Sequence, residues 1–228
     1  RELKNAIRTI TGIKKLVISN KESDYVLVEK NEDYLKSLKK EGINVPFPFP
    51  YEKQKDLNIL EIGTHIVIPD KINLVSPNTY LISVISEKPL HSVGSTLWYI
   101  KETSIENAKI MCLYFNSVVS IIQILLLKSE TLGSYSRLLK SDWEEFKTIN
   151  VEALTKEEKR NLVSLFDKLK NVEFPSLLEQ FEKRFWARIE LDKTILKILG
   201  FSDEEIEYWL PKVYDAIVEE LKAMKEVR

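Results

Sequence analysis

The stretch that decides the fold covers residues 104–127 and reads SIENAKIMCLYFNSVVSIIQILLL. Ser104 belongs to the residue types that cap helices, and apolar residues then recur from Ile105 to Leu125 at helical spacing. Nearly every face of this helix is apolar, whereas a helix at a protein surface keeps one polar face. The sequence therefore predicts a central helix that is buried on all sides by the rest of the chain.

The first hundred residues are predicted to be mainly β. Short runs of β-branched and aromatic residues alternate there with Asn, Asp, Pro and Gly, which form turns. One short helix is expected at residues 33–40, and the motif PFPFP at residues 46–50 is expected to be an extended loop because proline lacks an amide hydrogen. The predicted strands are 16–19, 25–28, 65–68, 73–75, 80–85 and 97–100.

The chain after the central helix is predicted to be helical. A polar loop at residues 128–136 leads to a short helix capped by Ser141 or Asp142. Further helices are expected at residues 155–169, 177–199, 202–210 and 212–225, with Pro211 between the last two. The predicted fold class is α+β, with a mainly β part at residues 1–150 that includes the central helix, and a helical part at residues 151–228.

Composition excludes several classes of protein. Lys and Arg number 34 against 35 Asp and Glu, a net charge of −1, so any nucleic-acid-binding face must be local. The single cysteine, Cys112, excludes an internal disulfide, fits a reducing cytoplasm and is expected to be a buried, inert thiol. The longest apolar run, residues 118–127, is shorter than the ~20 residues that a membrane span needs. We therefore expect a cytoplasmic protein with no membrane partner.

The sequence contains no recognisable catalytic motif. Two histidines and one cysteine do not make a zinc signature. A phosphate-binding loop, a dinucleotide-binding turn and a nucleophile elbow are also absent from the sequence. Acidic clusters lie on predicted amphipathic helices, where they are typical of a solvated face. No catalytic residue, metal site or cofactor site is predicted in this chain.

Four segments in sequence order carry a family resemblance. Residues 92–100 read SVGSTLWYI, residues 113–117 read LYFNS, residues 128–133 read KSETLG, and residues 137–142 read RLLKSD. This order resembles the target-recognition region of adenine-specific DNA methyltransferases of restriction-modification systems. It is also similar in outline to the specificity subunits of type I restriction enzymes.

A second match lies in the tail. Residues 188–192 read RIELD and residues 195–201 read ILKILGF, an aspartate before an apolar helix that ends in Leu-Gly. This order resembles the helical close of the same enzymes.

The resemblance implies that residues 1–150 form a target-recognition domain for double-stranded DNA. The catalytic half of the family carries an Asn-Pro-Pro-Tyr-type motif and a glycine-rich S-adenosylmethionine loop, and neither occurs in this sequence. Together with a start at Arg1 instead of methionine, this suggests a piece of a longer enzyme. The expected partners are duplex DNA and the methyltransferase catalytic domain or subunit. That missing domain would use S-adenosylmethionine to methylate a flipped adenine.

The residues expected to touch DNA are mostly hydrogen-bond donors. The polar segment at residues 128–140 combines cations, hydroxyls and a glycine, which suits it to phosphates; the alternative is a solvated connection between helices. Loops of the β half supply basic candidates, among them Lys71 and a predicted turn at His91-Ser92. Trp98 and Asn116 are expected to be structural. The predicted DNA-binding residues are Lys128, Ser129, Thr131, Gly133, Ser134, Tyr135, Arg137, Lys140, Lys53, Lys55, Lys14 and Lys15.

Two other hypotheses remain open. A separate specificity or scaffold subunit would act mainly through protein contacts of its amphipathic C-terminal helices. An enzyme of unrecognised type is the third. Salt-dependent binding to duplex DNA distinguishes the first hypothesis from both, because phosphate contacts impose a steep dependence on salt.

Overall fold

The computed structural model describes residues 3–19, 24–27, 32–42, 57–101, 103–127, 129–130, 136–137 and 139–226. Strands lie mainly in the first half and helices in the second, so the predicted α+β class is confirmed. In chain order the elements are β1 (Leu3–Ile7), β2 (Asp24–Leu27), α1 (Glu32–Lys40), β3 (Leu57–Pro69), β4 (Lys71–Ile72), β5 (Val84–Gly94), β6 (Leu97–Tyr99), α2 (Ile105–Asn116), α3 (Val118–Leu127), β7 (Ser129–Glu130), β8 (Ser136–Arg137), α4 (Lys140–Glu145), a 3-10 turn (Val151–Ala153), α5 (Lys156–Leu169), α6 (Leu177–Glu182), α7 (Trp186–Ile198) and α8 (Asp203–Glu226).

The main sheet has the strand order β2-β1-β5-β3-β6 within the described residues. β1 and β5 run parallel, with Ala6 opposite Ser92, and the other neighbouring strands are antiparallel. At Gly94 the two parallel strands approach so closely that a Cβ atom would collide with the carbonyl oxygen of Arg8. Glycine is required there by close backbone approach. It lets the N-terminal strand, which the sequence patterns did not reveal, join the interior of the sheet.

A second, small sheet has the order β4-β8-β7. β7 and β8 are antiparallel arms of a hairpin, and β8 also pairs with β4. We call these three strands the hairpin sheet. The prediction of a polar loop at residues 128–136 was therefore wrong for Ser129, Glu130 and Ser136, because these residues are paired in strands. Residues 131–135 lie outside the described residues.

Several strand predictions need correction. Residues 16–19 form only one bridge, between Val17 and Ile85, and residues 73–75 begin a turn in which the Ser76 amide donates to the Asn73 carbonyl at 3.1 Å. The predicted strand at residues 80–85 begins only at Val84, because a side chain from α2 binds the amides that precede it, as described below. The short helix predicted at residues 33–40 is confirmed as α1. The PFPFP segment lies outside the described residues.

The predicted central helix is two helices, and the expectation of burial on all sides is confirmed only in part, since Leu126 on α3 is 78% exposed. α2 ends at Asn116 and α3 begins at Val118, with a bend of 61° between them. Ile110, Leu113 and Ile121 are at most 1% exposed. In the described part of the chain no single helix is long and apolar enough to cross a membrane; the bent pair meets that test together by length and composition alone.

The helical part confirms one predicted boundary and corrects three. α5 begins after Thr155, whose hydroxyl oxygen accepts the Glu158 amide and whose own amide donates to the Glu158 carboxylate, as a capping box predicts. The short helix α4 starts before Ser141, because the Asp142 carboxylate accepts the Leu139 amide at 2.6 Å from inside the first turn.

The expected helix at residues 177–199 is broken into α6 and α7. The break lies at Arg184, whose φ of 50° is left-handed. Pro211, expected to separate two helices, lies inside the continuous helix α8. The buried stripe Ile206, Leu210, Tyr214 and Ile217 continues past it, so packing outweighs the hydrogen bond that proline cannot make.

One hydrophobic core joins the two halves. Ile7 and Ile85 of the main sheet belong to the same buried cluster as Leu113 of α2, Phe166 of α5 and Leu191 of α7. The division at residue 150 stays a prediction.

Candidate nucleic-acid interface

The hairpin sheet brings together residues that are distant in sequence. Lys71 on β4 lies directly opposite Arg137 on β8, and Arg137 lies opposite Ser129 on β7. Lys71, Arg137 and Ser129 therefore form one row across the three strands, which contains a lysine, an arginine and a serine. Cations and hydroxyls are the groups with which proteins contact phosphates.

A small polar cleft opens beside this row. Its volume is about 80 Å³. Lys71, Thr9, Thr11 and Thr96 on its rim are exposed, while Ile72 in its wall is buried. The described lining residues are Thr9, Ile10, Thr11, Pro69, Lys71, Ile72, Asn73, Ser76, Thr79, Leu81, Thr96 and Leu97.

The predicted DNA-binding residues divide into three groups. Ser129 and Arg137 lie in the hairpin sheet, and Lys140 begins α4 a short distance along the chain. Lys14 and Lys15 form a second group, on the segment between β1 and β2. The third group lies outside the described residues: Lys53, Lys55, Lys128, Thr131, Gly133, Ser134 and Tyr135.

Lys14 and Lys15 contact other parts of the same chain. The Lys15 ammonium lies 3.6 Å from a carboxylate oxygen of Glu173, and the Lys14 ammonium lies 5.2 Å from the centre of the Tyr80 ring. The Lys14 carbonyl accepts the Phe174 amide at 2.9 Å. These contacts tie the β half to the chain before α6. A contact of either lysine with DNA stays a prediction.

Two other expectations are corrected. His91 and Ser92 lie within strand β5 and not in a turn, and Ser92 pairs with Ala6 of β1 and with Ile59 of β3. Trp98, expected to be a structural core residue, is 39% exposed on β6, since this short strand pairs only with β3 among the described strands. An exposed aromatic residue is available for contact with a ligand or partner.

Asn116 is structural, as predicted. Its side-chain oxygen accepts the amides of Ile82 at 2.8 Å and Ser83 at 3.3 Å. Its side-chain nitrogen donates to the carbonyls of Ser83 at 2.8 Å and Cys112 at 2.9 Å. From the last residue of α2, the side chain therefore binds the backbone groups that would otherwise extend β5 toward its N-terminus.

A buried charged pair, Arg188 and Asp192 of the segment RIELD, lies next to the Asn116 carbonyl. We call Arg188, Asp192, Gln180 and Tyr214 the buried node. Both charged side chains are fully buried, with 3.7 Å between an Arg188 guanidinium nitrogen and an Asp192 carboxylate oxygen. Arg188 donates to the Gln180 side-chain oxygen at 2.6 and 3.0 Å and to the Asn116 carbonyl.

The Asp192 carboxylate completes the node. It accepts the Tyr214 hydroxyl at 2.5 Å and the Val118 amide at 2.7 Å. Burial raises the pKa of Asp192 from 3.8 to about 6, although the nearby Arg188 charge lowers it in part. Every polar group of the node has a partner and the node is closed to solvent, so its role is to hold α3, α6, α7 and α8 together.

The sequence did not reveal the node as a unit, since its four members come from three helices. The spacing of Arg188 and Asp192, one helical turn apart in a buried helix, was the available signal. In the described part of the chain no group of three or more His, Cys, Asp or Glu residues is placed to hold a metal ion.

Cys112 is expected to resist thiol reagents in the native protein. Its side chain is fully buried, and burial raises the pKa of the thiol from 9.0 to about 12, so the reactive thiolate is scarce at neutral pH. Colorimetric titration with a disulfide reagent should show no reaction until urea unfolds the chain. Rapid labelling without denaturant would contradict this prediction.

Similarity to a known protein is found in the fold and not in the sequence. No family model and no curated protein matches the sequence. The fold is similar to part of the crystal structure of the type IIG restriction endonuclease BpuSI, with a TM-score of 0.61 over 99% of this chain. Sequence identity is 14%, and the chain spans 26% of the length of that structure. The likeness shows a shared α+β fold.

Proposed function

We propose that this chain recognises a specific sequence in double-stranded DNA. In this proposal it is the target-recognition part of an adenine-specific DNA methyltransferase of a restriction-modification system, acting in the cytoplasm. The observation that carries the proposal is the likeness of 99% of the chain to part of a type IIG restriction endonuclease. The family resemblance of residues 92–142 supports it independently, because it comes from the order of motifs in the sequence.

The hairpin sheet supplies the proposed contact surface. In this proposal Lys71, Arg137 and Ser129 hold the phosphate backbone from one row, and residues 131–135, between β7 and β8 in the sequence, are the candidates for reading base edges. Exposed Trp98 on β6 adds an aromatic surface in the same half of the molecule. S-adenosylmethionine binds the catalytic domain in this proposal, and the residues of this chain hold and select the DNA.

The isolated chain should bind duplex DNA with a steep dependence on salt. Fluorescence anisotropy with a labelled duplex measures the affinity over a series of salt concentrations, and each phosphate contact contributes about −0.9 to the slope of log K against log salt. The variants Arg137→Ala and Lys140→Ala should weaken binding to all sequences and flatten the slope by about one each. Lys225→Ala, at the far end of α8, is the matched control and should leave the slope unchanged.

Selection from a random duplex library separates recognition from general affinity. Enrichment of one sequence motif supports a target-recognition role. If the chain binds no duplex DNA at low salt, the proposed function is wrong. If it binds DNA but enriches no sequence, it binds DNA without recognising a specific sequence.

A second candidate function is a separate specificity or scaffold subunit that acts through protein contacts. It is favoured by an apolar groove of about 470 Å³ between α3, the end of α7 and the start of α8. Leu199, Phe201 and Trp209 line it and are 42%, 46% and 54% exposed. Stable binding to a methyltransferase catalytic domain, by a chain that has no DNA affinity of its own, would favour this candidate.

A further inference from the structure

The polar cleft beside the hairpin sheet has a size that restricts its ligand. Its volume of about 80 Å³ is well below the roughly 300–1,000 Å³ of pockets that hold whole small molecules. A nucleobase or a nucleoside does not fit such a space. A group of a few heavy atoms, such as one phosphate, does.

The described lining is rich in hydrogen-bond donors. Lys71 supplies a cation, and Thr11 and Ser76 supply hydroxyls from two other segments. The Thr11 hydroxyl oxygen accepts the Thr9 hydroxyl at 3.0 Å, which leaves its own hydrogen to donate. Similarly, the Ser76 oxygen accepts the Asn78 amide at 3.2 Å, which leaves the Ser76 hydroxyl hydrogen.

Not every hydroxyl in the cleft is available. Thr79 donates to the Asn73 carbonyl at 2.7 Å and serves to hold the turn. The amide of Asp70 donates to the Thr96 carbonyl at 2.8 Å, which fixes the Thr96 segment against β4. Among the described lining residues there is no carboxylate that would repel an anion. The hydrogen bonds from Thr79 and Asp70 fix the turn at residues 73–79 and the segment around Thr96, which form part of the cleft wall.

The position of the cleft links it to the hairpin. Lys71 both lines the cleft and lies opposite Arg137 in the hairpin sheet. A phosphate in the cleft would thus lie beside the row of residues proposed to contact DNA. Contacts with phosphates fix the register and orientation of a protein on the duplex.

We propose that the cleft between β4, β6 and the segment that follows β1 seats one backbone phosphate of bound DNA, with Lys71, Thr11 and Ser76 as its donors, and so sets where the hairpin meets the bases. The inference rests on the proposed DNA-binding function. It adds a defined anion site to that function, in residues that the sequence patterns did not connect.

The test uses the full chain and two probes. With duplex DNA as the probe, Lys71→Gln should flatten the salt slope by about one. Thr11→Val and Ser76→Ala should each weaken binding about three- to tenfold, the loss expected for one hydrogen bond. Lys88→Gln, an exposed lysine on β5, is the matched control and should keep both affinity and slope. Circular dichroism melting of each variant checks that the fold is retained.

With inorganic phosphate as the probe, amide NMR shifts of Thr9, Thr11 and Thr96 should move and saturate in the wild type, and Lys71→Gln should abolish the effect. If DNA binds, and all three cleft variants match the wild type while Arg137→Ala weakens binding, the cleft proposal is overturned and the proposed function stands. If no DNA binds, the proposed function fails and the phosphate titration decides the cleft. Saturating shifts at these amides then support an anion site, and their absence overturns it.

Discussion

Replacing Arg188 by methionine is expected to lower the free energy of unfolding by about 3–5 kcal/mol near pH 7. The variant leaves the Asp192 carboxylate fully buried without its cation, and it removes the donors to Gln180 and to the Asn116 carbonyl. Urea unfolding followed by circular dichroism measures the loss. Lys193→Met on the same helix is the matched control, since its exposed pair with Glu207 at 3.0 Å is worth about 1 kcal/mol or less.

The loss of stability caused by Arg188→Met should become smaller as the pH falls. In the wild type the pKa of Asp192 is about 6, raised by burial from 3.8, and Arg188 is the charge that keeps it from rising further. Without Arg188 the folded state holds the proton more tightly still, while the unfolded carboxyl titrates near 3.8. Because the pKa of Asp192 is higher in the folded than in the unfolded state, protonation at low pH raises the free energy of unfolding. This gain is larger in the variant, where the difference between the two pKa values is larger. The gap between wild type and variant should therefore be smaller near pH 5 than near pH 7.

A double variant tests whether the unpaired charge is the cause. Arg188→Met with Asp192→Asn makes the node neutral and keeps an acceptor for the Val118 amide, so it should recover a large part of the stability. An equal loss in the single and double variants, with no narrowing toward acid, would show that lost packing causes the effect instead.

Replacing Asn116 by leucine should cost about 3 kcal/mol or more. Each buried backbone group left without a partner costs about 1–3 kcal/mol, and this change frees the amides of Ile82 and Ser83. Urea unfolding and near-ultraviolet circular dichroism measure the loss of stability and of tertiary packing. Asn161→Leu, exposed on α5, is the control and should change stability by about 0.5 kcal/mol or less.

Aspartate at the same position gives a sharper test. Asn116→Asp keeps the acceptor for both amides but loses the donor to the Ser83 carbonyl. A protonated carboxyl restores that donor, so this variant should gain stability toward acid relative to the wild type. A loss below about 1 kcal/mol for the leucine variant would mean that the backbone at residues 82–83 finds other partners.

Local signals in the sequence were sufficient for some of the fold. Thr155 and Glu158 are three residues apart, so the capping box that begins α5 is visible in the sequence itself. The apolar residues of α2 and α3 recur at helical spacing, so these helices could also be predicted from the sequence. Asn116 within an apolar helix predicted a buried polar side chain with backbone partners, and the structure identifies those partners.

Other features depend on contacts between distant residues. The break before α7 needs Arg184 in a left-handed conformation, and its guanidinium donates to Asp215 at 2.5 Å and to the Pro211 carbonyl at 3.2 Å in α8. The apolar pattern continues across this break and does not reveal it. The hairpin sheet pairs β8 with β4 through strands of two residues, which are too short to show alternation.

The candidate site was partly predictable for the same reason. Arg137 and Ser129 were predicted from one polar segment of the chain. The cleft was not, because Thr11, Lys71 and Ser76 come from separate segments, and only Lys71 was a candidate from its sequence. A cleft of this kind becomes recognisable once the fold brings its segments together.

The parallel pairing of β1 with β5 has a consequence for how the chain folds. Ala6 reaches its partner Ser92 only after the whole intervening segment has been synthesised, and the Gln180 side chain binds the Tyr80 carbonyl 100 residues away. Long-range pairings of this kind give a high contact order and slow folding, since loop-closure entropy must be lost before native contacts form. During translation β1 can pair with the nearby strand β2, but its other edge stays exposed until β5 has left the ribosome.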